Sequence, residues 1–222
     1  MTLPASLRQS LFIAGTDTGV GKTWVAVRLL HALGGEGLRT AAMKPVAAGA
    51  DVLDGALRNE DALALMTAAN VPAPYELVNP CCFPAATSPH LAAARDGKSV
   101  DLDAIKRAFS QIRANSDVII VEGAGGWLAP IADPAAAGDS GPTMEDVALA
   151  LGLPVLLVVG LKLGCISHAL LTAAAVRRAG LSLADWIANP VDPAFSDQLE
   201  YTKSLQLRLP APQWVIPELS AG

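Results

Sequence analysis

With 222 residues, 52% hydrophobic and 17% charged, the chain can bury a large core, which excludes intrinsic disorder. The formal charge of −5 comes from 16 Lys and Arg against 21 Asp and Glu, with no block of one sign, and leaves no electrostatic footprint for nucleic acid. Scarce aromatics and abundant Ala, Leu and Val suit helices packed closely on a parallel sheet in one domain.

In chain order, residues 11–15 read as a short apolar strand and residues 21–33 as a helix. Residues 40–46 form a second strand, and residues 59–69 and 101–115 have helical periodicity. Residues 71–89, with five prolines, are expected to be mostly irregular. The β-branched run 117–121 predicts a strand that ends in Glu122 and a glycine cluster. A Gly/Ala/Asp/Pro loop over 132–142 precedes a helix at 143–151, and PVLLVVG at 154–160 reads as a strand buried on both faces. A helix at 166–179, a strand at 184–188, a helix at 193–209 and a closing strand at 215–216 complete the pattern. Strands alternating with helices imply right-handed crossovers and a doubly wound, mainly parallel sheet.

Residues 1–9 have no apolar core of a signal peptide, and the most apolar later run, 153–161, is about half the length that spans a bilayer. A soluble, cytoplasmic protein with no membrane partner is expected. Cys81, Cys82 and Cys165 lack metal-ligand spacing, and a disulfide between sequence neighbours is strained, so all three are expected to be reduced.

The first strand runs into Gly15-Thr16-Asp17-Thr18-Gly19-Val20-Gly21-Lys22-Thr23, a deviant P-loop. Five residues separate Gly15 from Gly21, one more than the usual spacing, but the working end GKT is intact at a strand–helix junction. Gly19 and Gly21 let backbone N–H groups turn inward as an anion nest, and the helix N-terminus adds positive dipole. Lys22 would reach the β- and γ-phosphates of ATP, and the Thr23 hydroxyl would bind Mg²⁺. A hard cation needs further oxygen ligands. Glu122 lies where a strand-ending acid belongs. Asp61, taken alone, reads first as a helix-start charge; beside a P-loop both become metal-ligand candidates. Lys44, at the end of the second strand, reads either as a solvated charge or as a second cation, one that would stabilise an anionic acceptor approaching an anionic γ-phosphate.

These residues give Mg·ATP binding and phosphoryl transfer without naming the acceptor. GTDTGVGKT, KPVAAG, RNEDALAL, NP…TSPH, VEGAGGW, PVLLVVGLKLGCISHALLT and WIANPV, in that order from Phe12 to Leu219, resemble the dethiobiotin synthetase family. The resemblance implies a P-loop homodimer with active sites at the interface that joins 7,8-diaminopelargonic acid and CO₂ at the expense of ATP. One amine takes up CO₂, the carbamate attacks the γ-phosphate, and the second amine closes the ureido ring. Lys22 and Lys44 would be the catalytic cations, and Thr23, Asp61 and Glu122 would hold Mg²⁺. The nucleotide would lie against Gly19, Val20, Gly21, Thr23, Trp24, Gly123, Ala124 and Gly125, with its purine near Asn189, Pro190, Pro217, Glu218 and Leu219. Read without the family, Asn189 is an ordinary turn residue before Pro190. The diamine end would meet Thr18, Lys44, Ala48 and Gly125; the substrate carboxylate would meet Gly164, Cys165, Ser167 and Tyr201 from across the dimer. His90 and His168 take structural hydrogen-bonding roles, and Trp127 packs. Ala48 and Ser167 depart from the family pattern, which has Ser and Asn there. A partition-type ATPase switch is the rival reading, but Thr16 and Asp17 stand where that class carries a second lysine.

Overall fold

The fold is that of a computed structural model, which describes residues 3–214; the expected strand at 215–216 and Pro217, Glu218 and Leu219 lie outside the described residues. Nine strands and eight α-helices are described. The strands are β1 (Leu11–Gly15), β2 (Thr40–Met43), β3 (Val46–Ala48), β4 (Asp51–Leu53), β5 (Ala56–Arg58), β6 (Cys81–Phe83), β7 (Val118–Gly126), β8 (Val155–Gly160) and β9 (Leu183–Asn189). The helices are α1 (Lys22–Gly35), α2 (Glu60–Ala68), α3 (Tyr75–Val78), α4 (Pro89–Arg95), α5 (Leu102–Arg113), α6 (Met144–Leu151), α7 (Cys165–Arg178) and α8 (Gln198–Gln206).

The main sheet has the order β2-β7-β1-β8-β9, every pairing parallel. Its side chains alternate across the sheet with the two-residue period of a strand. Phe12, Ile119, Val121, Leu157 and Val159 join one core with α5, α6 and α7, whereas Ile13, Val118, Ile120, Leu156 and Val158 join the other with α1 and α2. Two apolar faces on one set of strands demand helices on both sides, which is why the central strands read as unbroken apolar runs. The sheet is the doubly wound, parallel architecture that the alternation predicts.

Three expectations change in detail, and one hairpin was not expected. The second strand breaks at Lys44, whose N–H donates to the Val78 carbonyl at 2.8 Å, and resumes as β3 beside β6. The proline-rich stretch 71–89 is less irregular than expected: it holds α3, β6 and the first residue of α4. Its prolines sit where each is tolerated, Pro74 as N-cap and Pro89 as a first helical residue. The last helix starts at Gln198, five residues after the expected 193. Between β3 and α2 lies an antiparallel hairpin, β4–β5, with a tight turn at Asp54 and Gly55. Residues 132–142 form an exposed loop without helix or strand, and the three cysteines are free. Among the described residues no helix is long and apolar enough to cross a membrane.

Candidate active site

In a parallel sheet ligands collect beyond the carboxyl ends of the strands, where the order of connection reverses. Here that place lies between β1 and β7. Glu122 pairs in register with Ile13, and the strand then bulges so that Gly126 faces Gly15. Both chains turn away from the sheet there, and the gap becomes a cavity of about 710 Å³.

The P-loop forms one wall. Gly15 is forced by crowding, since a Cβ there would stand 2.8 Å from Val20 and 3.0 Å from the Lys22 ammonium. Gly21, the N-cap of α1, has φ +86°, and a Cβ on it would lie 2.1 Å from the Asn189 amide nitrogen. No side chain caps α1, so its first-turn N–H groups remain for an anion. Lys22 arches over the loop and donates to the Asp17 carbonyl at 3.0 Å. Burial, and then the positive charge of Lys44, pushes its pKa down to about 8.

Opposite stands a charged cluster. Lys44 Nζ contacts Glu122 Oε1 at 2.5 Å and Asp61 Oδ2 at 2.8 Å, and the Thr23 hydroxyl donates to Glu122 Oε1 at 2.9 Å. Lys44 and Glu122 are 5% and 1% exposed, so neither charge is solvated and each depends on the other for compensation. Burial works to lower the Lys44 pKa, but the carboxylates of Glu122 and Asp61 outweigh it and the net shift is upward. Burial likewise works to raise Asp61, and Lys44 reverses the sign. Glu122 Oε2 is buried and has no hydrogen-bond partner. An orphaned carboxylate oxygen, a hydroxyl and a half-exposed second carboxylate are hard donors that fit a Mg²⁺ ion carried in on phosphates. Among the described residues there is no group of three or more His, Cys, Asp or Glu that could hold a metal without such a ligand.

Thr18, Gly19, Gly21, Lys22, Thr23, Lys44, Ala48, Asp61, Glu122, Ala124 and Gly125 all line the one cavity. Asn189 is not on that wall: its amide donates to the Val20 carbonyl at 2.8 Å and clamps the P-loop. Trp24 is partly exposed on α1, with the Arg28 guanidinium 3.5 Å from its ring centroid. Gly164, with Ser167, is exposed at the start of α7 outside the cavity, and Cys165 is buried in the core. Tyr201 packs edge-on against Phe195. Trp127 is buried against Phe12 and donates to Glu145, and His90 bonds Ser88.

Two features escape the sequence. Thr87 and Ser88, from the proline-rich stretch, complete the far wall of the cavity. Asp17 accepts from the Thr18 N–H at 2.7 Å and pairs with Lys162 at 2.9 Å, tying the P-loop to the segment before α7; the lysine lowers the carboxyl's pKa. The KLG motif marked Lys162, but nothing in one dimension joins it to Asp17.

The clamp yields a test. Gly21→Ala places a methyl group into the Asn189 amide at a backbone angle that L residues avoid, so the loop must deform. Nucleotide affinity should fall at least tenfold, about 1.4 kcal/mol, by isothermal titration; wild-type affinity would show that the loop yields freely.

Residues 9–209 match a family model described as an AAA domain. The chain is 44% identical over 216 residues to the ATP-dependent dethiobiotin synthetase BioD of Xylella fastidiosa, covering 96% of this chain and 92% of that protein. Solved structures share the fold at low identity. The signal recognition particle receptor FtsY from Elizabethkingia anophelis, in complex with GDP, superposes with a TM-score of 0.51 at 18% identity, over 92% of this chain and 55% of the receptor. The signal recognition particle 54 kDa protein from Aeropyrum pernix, also with GDP, gives 0.53 at 13% identity, over 97% and 43%. The chain thus spans about half the length of these two, and the likeness concerns the nucleotide-binding fold alone. Family model, identity and P-loop agree: the chain belongs to the AAA-domain proteins and, within them, to the ATP-dependent dethiobiotin synthetase family.

Proposed function

We propose that the protein makes dethiobiotin from 7,8-diaminopelargonic acid, CO₂ and ATP, releasing ADP and phosphate, as a cytoplasmic homodimer using Mg²⁺. The observation that carries this reading is the second buried cation, Lys44, held within one cavity with the P-loop lysine. The partition-type switch carries its second lysine early in the P-loop, where Thr16 and Asp17 stand here; in this chain the second lysine instead faces the loop from the end of β2. A reaction between an anionic carbamate and an anionic γ-phosphate needs charge on both partners.

One amine of the substrate adds to CO₂ and loses a proton, giving a carbamate. Its oxygen attacks the γ-phosphorus, the bond to the bridging oxygen breaks, and ADP leaves. The second amine then attacks the carbamate carbon, the C–O bond to the phosphate breaks, and the ring closes with loss of a proton. Lys22 neutralises the phosphates and Lys44 the carbamate and the transferring group. Thr23, Asp61 and Glu122 would hold Mg²⁺, which when bound would neutralise phosphate charge. Gly19, Val20, Gly21 and Trp24 flank the phosphates with Gly123, Ala124 and Gly125, and the purine is assigned to Asn189 and Pro190 and, on the family resemblance alone, to Pro217, Glu218 and Leu219. Thr18, Ala48 and Gly125 border the diamine end. Gly164, Cys165, Ser167 and Tyr201, which lie away from their own chain's cavity, serve the substrate carboxylate of a second copy. The exposed N-terminus of α7, uncapped by any side chain, supports that assignment.

Coupling tests the proposal. ADP release should require the diamine and bicarbonate-derived CO₂ together, followed by a coupled ADP assay. Steady ATP hydrolysis without the diamine would favour the partition-type switch instead.

A further inference from the structure

Tyr75 and Asn79 lie in the segment that the sequence marks only as proline-rich, and neither lines the cavity. Both are buried, and both are hydrogen-bonded toward it. The Tyr75 hydroxyl accepts from the Asn59 N–H at 2.7 Å and donates to Asn79 Oδ1 at 2.9 Å. The Asn79 amide then donates to the Lys44 carbonyl at 2.6 Å, while the Lys44 N–H donates to the neighbouring Val78 carbonyl. Both backbone groups of Lys44 are therefore held by α3 and the residue after it.

On the other side, Asn59 is the N-cap of α2, and its Oδ1 accepts from the Ala62 N–H. That first turn carries Asp61, whose carboxylate returns to Lys44 Nζ. The contacts close a ring from the Lys44 backbone through Asn79, Tyr75 and Asn59 to Asp61 and back to the Lys44 ammonium. A single hydroxyl joins its halves by accepting from one and donating to the other, which Phe cannot do. The Arg58 guanidinium, 4.1 Å from the Tyr75 ring centroid, covers the ring's open side.

We propose that Tyr75 and Asn79 are positioning residues that fix the distance between Lys44 and the first turn of α2, and so set the lysine's place at the transferring phosphoryl group. The inference rests on the proposed function for its kinetic consequence but not for its geometry. It explains why a strand that reads as continuous over 40–46 breaks at Lys44: the backbone there bonds to α3 instead of to a strand neighbour.

The test uses Tyr75→Phe, which keeps the ring and removes both hydrogen bonds of the hydroxyl, and Asn79→Leu, which keeps the volume and removes those of the amide without adding charge. Each should lower kcat on the order of tenfold while KM for ATP and the diamine stays within about twofold, because a displaced lysine costs the transition state more than it costs binding. In a Lys44→Ala background the Tyr75→Phe effect should vanish, whereas a merely structural role would multiply the two losses. An arm independent of turnover reads Lys44 directly: acylation by an amine-selective reagent, followed by mass spectrometry of the intact fold, should accelerate severalfold in both variants. Wild-type kcat and unchanged acylation, or multiplicative losses with Lys44→Ala, would overturn the positioning role. If wild type shows no diamine-dependent ADP, the proposed function fails, and the acylation result still decides the positioning.

Discussion

Lys22→Ala should lower kcat by two to nearly four orders of magnitude, corresponding to about 3–5 kcal/mol of lost transition-state stabilisation from a preorganised cationic donor. The loss should be almost wholly catalytic. The ammonium's hydrogen bond within the protein is to the Asp17 carbonyl, and burial together with Lys44 already holds its pKa down to about 8. The folded chain thus tolerates this charge more than it depends on it. Removing it should leave stability within about 1 kcal/mol of wild type, the net worth of one hydrogen bond. Steady-state kinetics beside a thermal melt separates the two quantities. A kcat loss below tenfold in a fully folded variant would remove Lys22 from the reaction.

Glu122→Gln should damage both turnover and fold. The substitution keeps the volume and leaves Thr23 an acceptor, but it takes from Lys44 one of two counter-charges at a site with almost no solvent. Breaking one side of a buried pair costs about 3–5 kcal/mol when nothing replaces it; Asp61 remains here, so about 1–3 kcal/mol is expected. The orphaned Oε2 supplies the catalytic half of the prediction, since it is the carboxylate oxygen left free for a hard cation. The Mg²⁺ concentration for half-maximal turnover should rise at least tenfold, and kcat at saturating Mg²⁺ should fall about a hundredfold. A magnesium titration that overlays wild type would contradict the metal assignment, whatever the melt reports.

The parallel sheet was legible because each central strand is an apolar run of the right length, and each connection carries the helical period. The phosphate wall was legible for a similar reason: GKT at a strand–helix junction is a local motif whose chemistry lies in consecutive residues. Asp61 was harder, since a carboxylate in the first turn of a helix is also ordinary capping charge. Its pairing with Lys44, 17 residues away, is visible only once β2 and α2 stand side by side. Asn189 reads as a turn residue or a base reader, yet its amide reaches the P-loop across 169 residues. Contacts of that range depend on tertiary packing and have no signature in one stretch of sequence. The same holds for Tyr75 and Asn79, which the prolines disguised. Breaker residues at N-caps and first turns do not prevent helices, and α3, β6 and the start of α4 formed where irregular chain was expected.

In the proposed reaction a carbamate, not water, attacks the γ-phosphate. Oxygen bookkeeping tests it directly. With ¹⁸O-labelled bicarbonate, ATP and the diamine in a short incubation, the carbamate oxygen that attacks phosphorus leaves in the phosphate when the ring closes. Mass spectrometry should find ¹⁸O in inorganic phosphate in step with dethiobiotin formed. Phosphate that draws its new oxygen only from water would rule out attack by the carbamate.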